Sequence, residues 1–269
     1  MKTWVAILLC CPLLAQEAAK PHVLTAVCAD TEIAEFGLDC TAEEPCPIYL
    51  ELTAVEALGT KLFLAGNFHT GTVTLWSVLL ASEDEGKTWA EPLGRIRGAV
   101  LDQVEFVDFE NGWTAGHVTG NLPKDPFFLK TTDAGKTWRR IPIFEDTAYG
   151  SVESFWFTSK TQGELIINRR GDARSRYQRL QTMTGADSWM MQEVSAKPLP
   201  NPRPRASAAA ASADWRIRAD GPSKSLRVER REAGRWRSVA AFQLRAGACQ
   251  AEPAKPQEQL KPQEPPQPQ

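Results

Sequence analysis

The sequence has few of the residues from which metal sites and acid–base sites are usually built. Among 269 residues there are only three histidines and three tyrosines. The histidines, at positions 22, 69 and 117, are far apart along the chain, and the six cysteines form no C-x-x-C pair. The sequence also lacks a Ser-His-Asp phrase, a phosphate-binding glycine loop and a nucleic-acid motif. We therefore expect no metal, no cofactor and no nucleic-acid partner.

Long apolar segments are missing beyond the first residues. The run from Trp4 to Leu14 is too short to span a bilayer, follows a positively charged Lys2 and precedes alanines at 15, 18 and 19. This pattern is typical of a secretory signal and predicts a secreted or periplasmic protein with no stable membrane span. A lipidated Cys10 or Cys11 is the alternative, although a lipobox has a small residue before its cysteine.

Positive charges are missing from one stretch and negative charges are scarce in another, although the formal net charge is only −2. Residues 21–60 contain eight acidic side chains and no lysine or arginine, whereas residues 203–237 contain ten basic and four acidic side chains. The simpler interpretation is two solvated faces. The alternative hypothesis is that the acidic N-terminal arm docks on the basic last repeat.

Four cysteines lie beyond the predicted signal: Cys28, Cys40, Cys46 and Cys249. An even number in an exported protein predicts two disulfides. The first three lie near the front, whereas Cys249 follows the last predicted strand. If all four pair, one bridge must therefore join the two ends of the chain.

An eight-residue stretch that occurs twice organises the rest of the sequence. It reads Ser-Glu-Asp-Glu-Gly-Lys-Thr-Trp at 82–89 and Thr-Thr-Asp-Ala-Gly-Lys-Thr-Trp at 131–138. Strand-like segments flank both copies, so Asp-x-Gly predicts a hairpin in which the carboxylate accepts backbone N–H bonds and glycine supplies a positive φ. The alternative role for Asp84 and Asp133 is catalysis or calcium binding. The structural positions are Ser82, Asp84, Gly86, Thr88, Trp89, Thr131, Asp133, Gly135, Thr137 and Trp138.

Tryptophans extend the repeat through the chain. Trp189 lies 51 residues after Trp138, and Trp236 lies 47 residues after Trp189. The stretch 182–189 keeps the hydroxyls and the tryptophan, but has Thr184 for the aspartate and Ala186 for the glycine. A period near 50 residues, with about four short strands per unit, predicts an all-β fold. We expect a β-propeller of about four to five four-stranded blades, with closure by a disulfide.

The two complete copies resemble the Asp-box (BNR) repeats of sialidases, sortilin-type receptors and photosystem II assembly-factor propellers. Residues 104–116 followed by 129–138 are similar to one blade of the assembly-factor type. The resemblance implies that the Asp boxes lie in hairpins between the third and fourth strands of a blade, at the periphery. It implies a fold and not an activity, because such folds host many functions.

The predicted segments are a signal peptide (1–19), a Cys-containing acidic arm (20–47), an Asp-box propeller (48–250) and a disordered Pro/Gln-rich tail (251–269). A Pro-rich link at 198–204 separates the third and fourth repeats, and residues 28–47 either add strands or form a disulfide-held cap. The predicted strands are 48–58, 61–67, 73–80 and 88–92; then 102–109, 113–117, 127–132 and 137–143; then 152–158, 163–168, 176–182 and 188–194; then 206–213, 215–218, 223–229 and 236–242.

The sequence favours a non-catalytic, monomeric propeller that binds a protein or glycan partner through its loops. Residues 93–103 and 121–128 are candidate contact surfaces, because exposed loops on a rigid scaffold often carry recognition. The candidate partner-binding residues are Arg95, Arg97, His69 and His117. The equally weighted alternative for the arginines is salt bridging between blades. For the two histidines, loop hydrogen bonding is preferred to a shared metal.

The alternative function is a sialidase-like glycoside hydrolase. The resemblance would then require an arginine triad, a Tyr-Glu nucleophile pair and an acidic aspartate. The sialidase Arg-Ile-Pro phrase near the start is replaced by Arg95-Ile96-Arg97, which follows the first Asp box and lacks the proline. Tyr149, which follows Glu145 and Asp146, offers only a weak constellation. A buried cluster of arginine with two carboxylates at the ring centre would favour the enzyme.

Overall fold

The computed structural model describes residues 20–170, 173–201 and 214–251, which confirm the predicted all-β class. No helix in these three ranges is long and apolar enough to cross a membrane. The predicted signal peptide, the predicted strand at 206–213 and nearly all of the predicted tail lie outside the described residues. The elements in chain order are β1 (Ala26–Val27), α1 (Asp30–Glu35), β2 (Cys46–Leu58), β3 (Lys61–His69), β4 (Thr74–Ser82), β5 (Ile96–Arg97), β6 (Ala99–Phe106), β7 (Gly112–Val118), β8 (Lys124–Thr131), β9 (Arg139–Pro142), β10 (Ser151–Phe157), β11 (Gly163–Asn168), β12 (Tyr177–Thr182), β13 (Met190–Ser195), β14 (Trp215–Asp220), β15 (Ser225–Glu232), β16 (Arg235–Gln243) and β17 (Arg245–Cys249).

The described strands form four sheets, and within three of them consecutive strands pair as antiparallel neighbours. The second sheet is β6-β7-β8-β9, the third is β10-β11-β12-β13 and the fourth is β14-β15-β16. The first sheet has the order β1-β17-β2-β3-β4-β5, and so brings the last strand against the first ones. The predicted strand at 88–92 is wrong, because only Ala90 pairs there, with Ala81. Pro92 lacks the N–H that a longer ladder would need.

The two ends of the described chain meet in the first sheet. Strand β17, which the sequence analysis did not predict, pairs antiparallel with β2 and parallel with β1. A disulfide joins Cys28 to Cys249 across a sequence separation of 221, and a second joins Cys40 to Cys46. A Cβ on Gly247 would lie 2.0 Å from the Ala26 carbonyl oxygen, so glycine permits this close approach of β1.

The acidic arm packs into the first sheet and is not a separate cap. Ile33 of α1 is buried, and Ala26, Cys28 and Cys40 lie in the same core cluster as β2 to β4. The ion pairs of the arm differ from the expected ones: Glu35 lies 2.5 Å from Arg97 of β5, and not against the basic last repeat. The arm does reach that repeat through uncharged contacts: the His22 N–H donates to the Ala241 carbonyl at 2.7 Å, and the His22 ring lies 5.3 Å from the Phe242 ring, measured between centroids.

Both complete Asp boxes form the same hydrogen-bonded turn. In the first, the Thr88 N–H and hydroxyl donate to the Asp84 carboxylate at 2.9 and 2.7 Å, and the Gly86 N–H donates to the Ser82 hydroxyl at 2.8 Å. Gly86 has φ +88° and follows Glu85 at φ +59°, so the turn needs two consecutive left-handed residues. The Trp89 indole N–H donates to the Gly86 carbonyl at 3.0 Å.

The second box repeats this geometry at the corresponding residues. The Thr137 N–H and hydroxyl donate to the Asp133 carboxylate at 2.9 and 2.6 Å, and the Gly135 N–H donates to the Thr131 hydroxyl at 3.0 Å. The Trp138 indole N–H donates to the Gly135 carbonyl at 3.0 Å. Asp84 and Asp133 therefore lie in self-contained turns.

The third copy forms the same turn without a carboxylate. The Thr184 hydroxyl occupies the aspartate position and accepts the Ser188 N–H at 2.9 Å, while the Thr182 hydroxyl accepts the Ala186 N–H at 3.1 Å. The left-handed pair is Gly185 at φ +68° and Ala186 at φ +78°. The glycine is therefore the first residue of the pair here, whereas it is the second in the complete boxes. A hydroxyl can replace the carboxylate here because the acceptor serves only neighbouring donors of the same turn.

Each box tryptophan contacts a phenylalanine of a neighbouring sheet. Trp89 of the first sheet lies 5.3 Å from Phe242 of the fourth, measured between ring centroids. Trp138 of the second sheet lies 6.2 Å from Phe63 of the first. Trp189 of the third sheet lies 5.7 Å from Phe128 of the second. The boxes therefore join the sheets in the order four, one, two, three.

We expect the two disulfides to differ in their contribution to stability. Loop-closure entropy gives about 5 kcal/mol for the bridge that spans 221 residues and about 2 kcal/mol for the one that spans six. C28S/C249S should therefore lower the free energy of unfolding in urea more than the matched variant C40S/C46S. Equal losses would contradict a role of the long bridge in holding the ends together.

We also expect the complete Asp boxes to make stability depend on pH. Hydrogen bonds from Thr88 lower the pKa of Asp84 from 3.8 to about 2, and those from Thr137 do the same for Asp133. The stabilisation from these lowered pKa values is complete above the unfolded pKa and is lost as the pH falls from about 4 towards 2.

The measurement is the urea midpoint at pH 5 and at pH 2.5. The midpoint of D84N/D133N should fall less between these pH values than that of the wild type, because its boxes no longer titrate. D39N/E43Q, which removes two carboxylates of the arm, should behave like the wild type. An undiminished fall in D84N/D133N would show that the boxes do not carry this dependence.

Candidate functional site

The two candidate arginines are engaged within the chain. The Arg95 guanidinium donates to both carboxylate oxygens of Glu91, at 2.7 and 3.0 Å, and to the Thr25 carbonyl at 3.0 Å. It also lies 4.2 Å from the Phe68 ring centroid. Arg97 pairs with Glu35 and lies 5.2 Å from the ring centroid of Phe36. Both side chains therefore hold the N-terminal arm against the first sheet.

The two candidate histidines have separate local partners. The Nδ1 atom of His69 lies 2.8 Å from the Thr70 carbonyl oxygen, and that of His117 lies 3.1 Å from a carboxylate oxygen of Asp102. Within the described ranges no group of three His, Cys, Asp or Glu side chains could hold a metal ion. The structure therefore shows two separate histidines, His69 hydrogen-bonded to the neighbouring backbone and His117 within ion-pair distance of Asp102.

The two candidate loops are mostly strand. Residues 93–103 include β5 and the first half of β6, and residues 121–128 include the first half of β8. The Asp125 backbone N–H, at the start of β8, donates to the Ala148 carbonyl at 2.7 Å, and the Asp125 carboxylate accepts the Ala148 N–H at 3.0 Å. The sequence predicts loops in these segments because Pro, Gly and Asp interrupt their apolar pattern, whereas strand pairing extends through most of both.

The structure instead shows a groove between the second and third sheets. One wall is β9 with the residues after it, and the other is the end of the third turn. The groove has a volume of about 860 Å³, a size typical of small-ligand sites. Its lining residues are Arg139, Ile141, Pro142, Ile143, Phe144, Glu145, Asp187, Ser188 and Trp189.

An ion pair bridges the two walls of this groove. The Arg139 guanidinium lies 2.6 Å from the Asp187 carboxylate, and the Lys130 ammonium lies 3.6 Å from it. Burial raises the pKa of Asp187, but the Arg139 hydrogen bond and the Lys130 charge outweigh it and hold this pKa below 3.8. The Asp187 carboxyl group is therefore ionised at neutral pH and is suited to accept hydrogen bonds rather than to donate a proton.

Aromatic rings supply the apolar part of the groove. Trp189 stacks on Phe128 with an interplanar angle of 24°, and Phe144 packs beneath the guanidinium of Arg169 at 5.0 Å. The buried Trp189 indole N–H has no hydrogen-bond partner among the described residues, unlike those of Trp89 and Trp138. The third turn thus differs from the first two at the residue that lines the groove.

The sequence pattern indicates only parts of this groove. Trp189 marks the third repeat, and Glu145 precedes Asp146 and Tyr149 in the second. Glu145 lines the groove, whereas the backbone of Tyr149 pairs with Lys124 and 53% of its surface is exposed. No local sequence pattern predicts that residues 139–145 lie close to residues 187–189, because their proximity depends on how two sheets pack.

No protein-family model matches the chain, and no curated protein matches it. Three solved structures show low similarity. A GH74 xyloglucanase from Xanthomonas campestris has a TM-score of 0.36 and 18% identity, over 48% of this chain and 18% of that chain. An α-L-arabinofuranosidase from Fusarium graminearum, in complex with an iminosugar inhibitor, has a TM-score of 0.35 and 14% identity. The match covers 56% of this chain and 48% of that chain.

The third is an α-L-arabinanase from Penicillium chrysogenum, complexed with arabinobiose, with a TM-score of 0.38 and 13% identity, over 74% of this chain and 62% of that chain. The chain thus spans less than two thirds of the length of each of these proteins.

The electrostatics of the groove can be tested by titration. R139Q removes the shortest ion pair of Asp187, so the pKa of Asp187 should rise towards or above 3.8. The measurement is the pH dependence of the Asp187 carboxyl carbon resonance in labelled protein. R140Q is the matched control, because the Arg140 guanidinium lies over the Phe127 ring at 3.9 Å and does not contact Asp187. An equal shift in both variants would contradict the assignment.

Proposed function

We propose that the protein is an exported, non-catalytic and monomeric β-propeller that binds a glycan through the groove between its second and third sheets. The observation that carries the proposal is the composition of that groove. Two aromatic side chains, Trp189 and Phe144, lie beside an ion pair that joins both walls. Export is supported by the signal-like first residues and by the two disulfides, which form in oxidising compartments.

The propeller arrangement is supported by the contacts between sheets. Three box tryptophans link the fourth sheet to the first, the first to the second and the second to the third. Strand β17 and the Cys28–Cys249 bridge join the two ends in one sheet, as a ring requires. The four sheets would then be four blades, because closure into a ring protects sheet edges that would otherwise be open.

Glycan binding is supported by the mixed chemistry of the groove. Aromatic rings offer flat apolar surfaces for sugar rings, while charged side chains bond to hydroxyl groups. Arg139 and Glu145 are both exposed on the β9 side, where they can reach a ligand. A glycosidase acid usually needs a raised pKa, whereas the pKa of Asp187 is lowered, so Asp187 is not suited to be that acid.

The test is calorimetric binding to the neutral oligosaccharides selected by a glycan array. Binding by the wild type, with at least a tenfold loss of affinity in R139Q/E145Q, is the expected result, since each side chain would contribute a charge-assisted hydrogen bond. R140Q should bind within twofold of the wild type. Absence of binding to any array glycan, or equal losses in both variants, would overturn the proposal. Hydrolysis of a bound glycan would overturn its non-catalytic part.

A further inference from the structure

The fourth sheet carries an excess of positive charge that the groove does not use. Residues 214–249 contain nine lysines and arginines but four aspartates and glutamates, a formal excess of five positive charges. One face of this sheet belongs to the core shared with the first sheet, through Leu226, Val228 and Phe242. The basic side chains therefore lie mainly on the other face of the sheet and at the hairpin between β15 and β16.

Strand register places four arginines on that other face. Arg218 of β14 lies directly opposite Arg227 of β15, and Arg216 lies opposite Glu229. Because side chains alternate between the faces of a sheet, Arg231 shares the face of Arg227. We call these four residues, Arg216, Arg218, Arg227 and Arg231, the arginine face. Trp236, directly opposite Arg231, lies on the same face beneath the guanidinium of Arg216, at 4.2 Å.

The acidic residues on this face neutralise only part of its charge. Glu229 pairs with Arg216 and Asp220 pairs with Arg227, both at 2.6 Å. Arg218 and Arg231 are exposed, and neither lies within 4 Å of a carboxylate in the described ranges, although the charge of Arg218 helps to lower the pKa of the Asp220 carboxyl group. Arg218 and Arg227 also form a like-charge pair directly across the strands, which costs stability in an unliganded sheet.

The hairpin between β15 and β16 adds further basic residues beside the arginine face. Its turn is the pair Ala233 and Gly234, both at positive φ, and it holds no Asp box. Glu232 is shared by Arg230 and Arg237. Arg235 is exposed and has no ion-pair partner among the described residues. Three guanidinium groups, those of Arg218, Arg231 and Arg235, therefore remain available to an external anion.

We propose that the arginine face, with Arg235, is a second binding site, and that its ligand is an anionic polysaccharide. Planar guanidinium groups bind carboxylate and sulfate oxygens through two parallel hydrogen bonds. The positions of Arg227 and Arg231 are about 13 Å apart along β15, so the charge forms a row rather than a pocket. A row suits a polymer with repeated charges better than a single small anion.

The choice of a polysaccharide over other polyanions follows from two features. Trp236 adds a half-buried aromatic ring at the level of Arg231, which can pack against a sugar ring. The two disulfides indicate an oxidising compartment, where nucleic acid is not the expected polymer. This site is separate from the groove, so failure of one proposal leaves the other standing.

The test measures binding of the full chain to immobilised polygalacturonate, dextran sulfate and neutral dextran at low salt. The wild type should bind at least one anionic polymer and should not bind neutral dextran. Preference between carboxylate and sulfate polymers identifies the anionic group. R218Q/R231Q/R235Q should lose at least tenfold in affinity and have a weaker salt dependence, because it lacks the three unpaired cations.

The matched control is K87Q/K136Q/K197Q, which removes three exposed lysines elsewhere and should bind within twofold of the wild type. The groove variant R139Q/E145Q should also retain anionic-polymer binding. Failure to bind either anionic polymer, or equal losses in the arginine and lysine variants, would overturn the proposal. Tighter binding to double-stranded DNA or to polyglutamate than to both polysaccharides would overturn the assigned ligand class.

Discussion

The structure depends on one interaction that recurs at each Asp box. The box turn fixes a tryptophan at the end of one sheet, and that tryptophan packs against a phenylalanine of the neighbouring sheet: Phe242, Phe63 and Phe128 in turn. A large aromatic ring buries much apolar area at one point, so a single residue per repeat can join two sheets. Gly135 shows how tight this contact is, because an added Cβ would lie 2.3 Å from the Phe63 ring.

The two ends of the described chain are joined by a different device, which lies within the first sheet. The first sheet takes in β1 and β17, and the Cys28–Cys249 bridge fixes both strands covalently. The acidic arm completes the same junction, with Glu32 accepting the Trp76 indole N–H at 3.1 Å and Glu35 pairing with Arg97. Arg95 and Arg97 therefore take part in this junction between the arm and the first sheet.

The third and fourth repeats depart from the box pattern; the proposed groove has one wall in the third repeat, and the proposed arginine face lies on the fourth. The third turn replaces the carboxylate by the Thr184 hydroxyl, and its tryptophan N–H has no partner in the described part of the chain, beside a groove crossed by an ion pair. The fourth hairpin has a two-residue turn edged by arginines instead of a box. Regular repeats supply the scaffold, whereas the altered repeats carry side chains that the scaffold does not require.

The sequence by itself determined the local features of this protein. The all-β class, the hairpin at each box and the strand at 163–168 could be predicted, because turn chemistry and strand alternation act between residues close in the chain. The unpredicted β17, the partner of the acidic arm and the groove between residues 139–145 and 187–189 depend on contacts between distant segments. Charge counts located the acidic and basic stretches but not their partners, since Glu35 meets Arg97 rather than the last repeat. Only the packing of sheets decides which side chains meet, because one sequence pattern is compatible with many such arrangements.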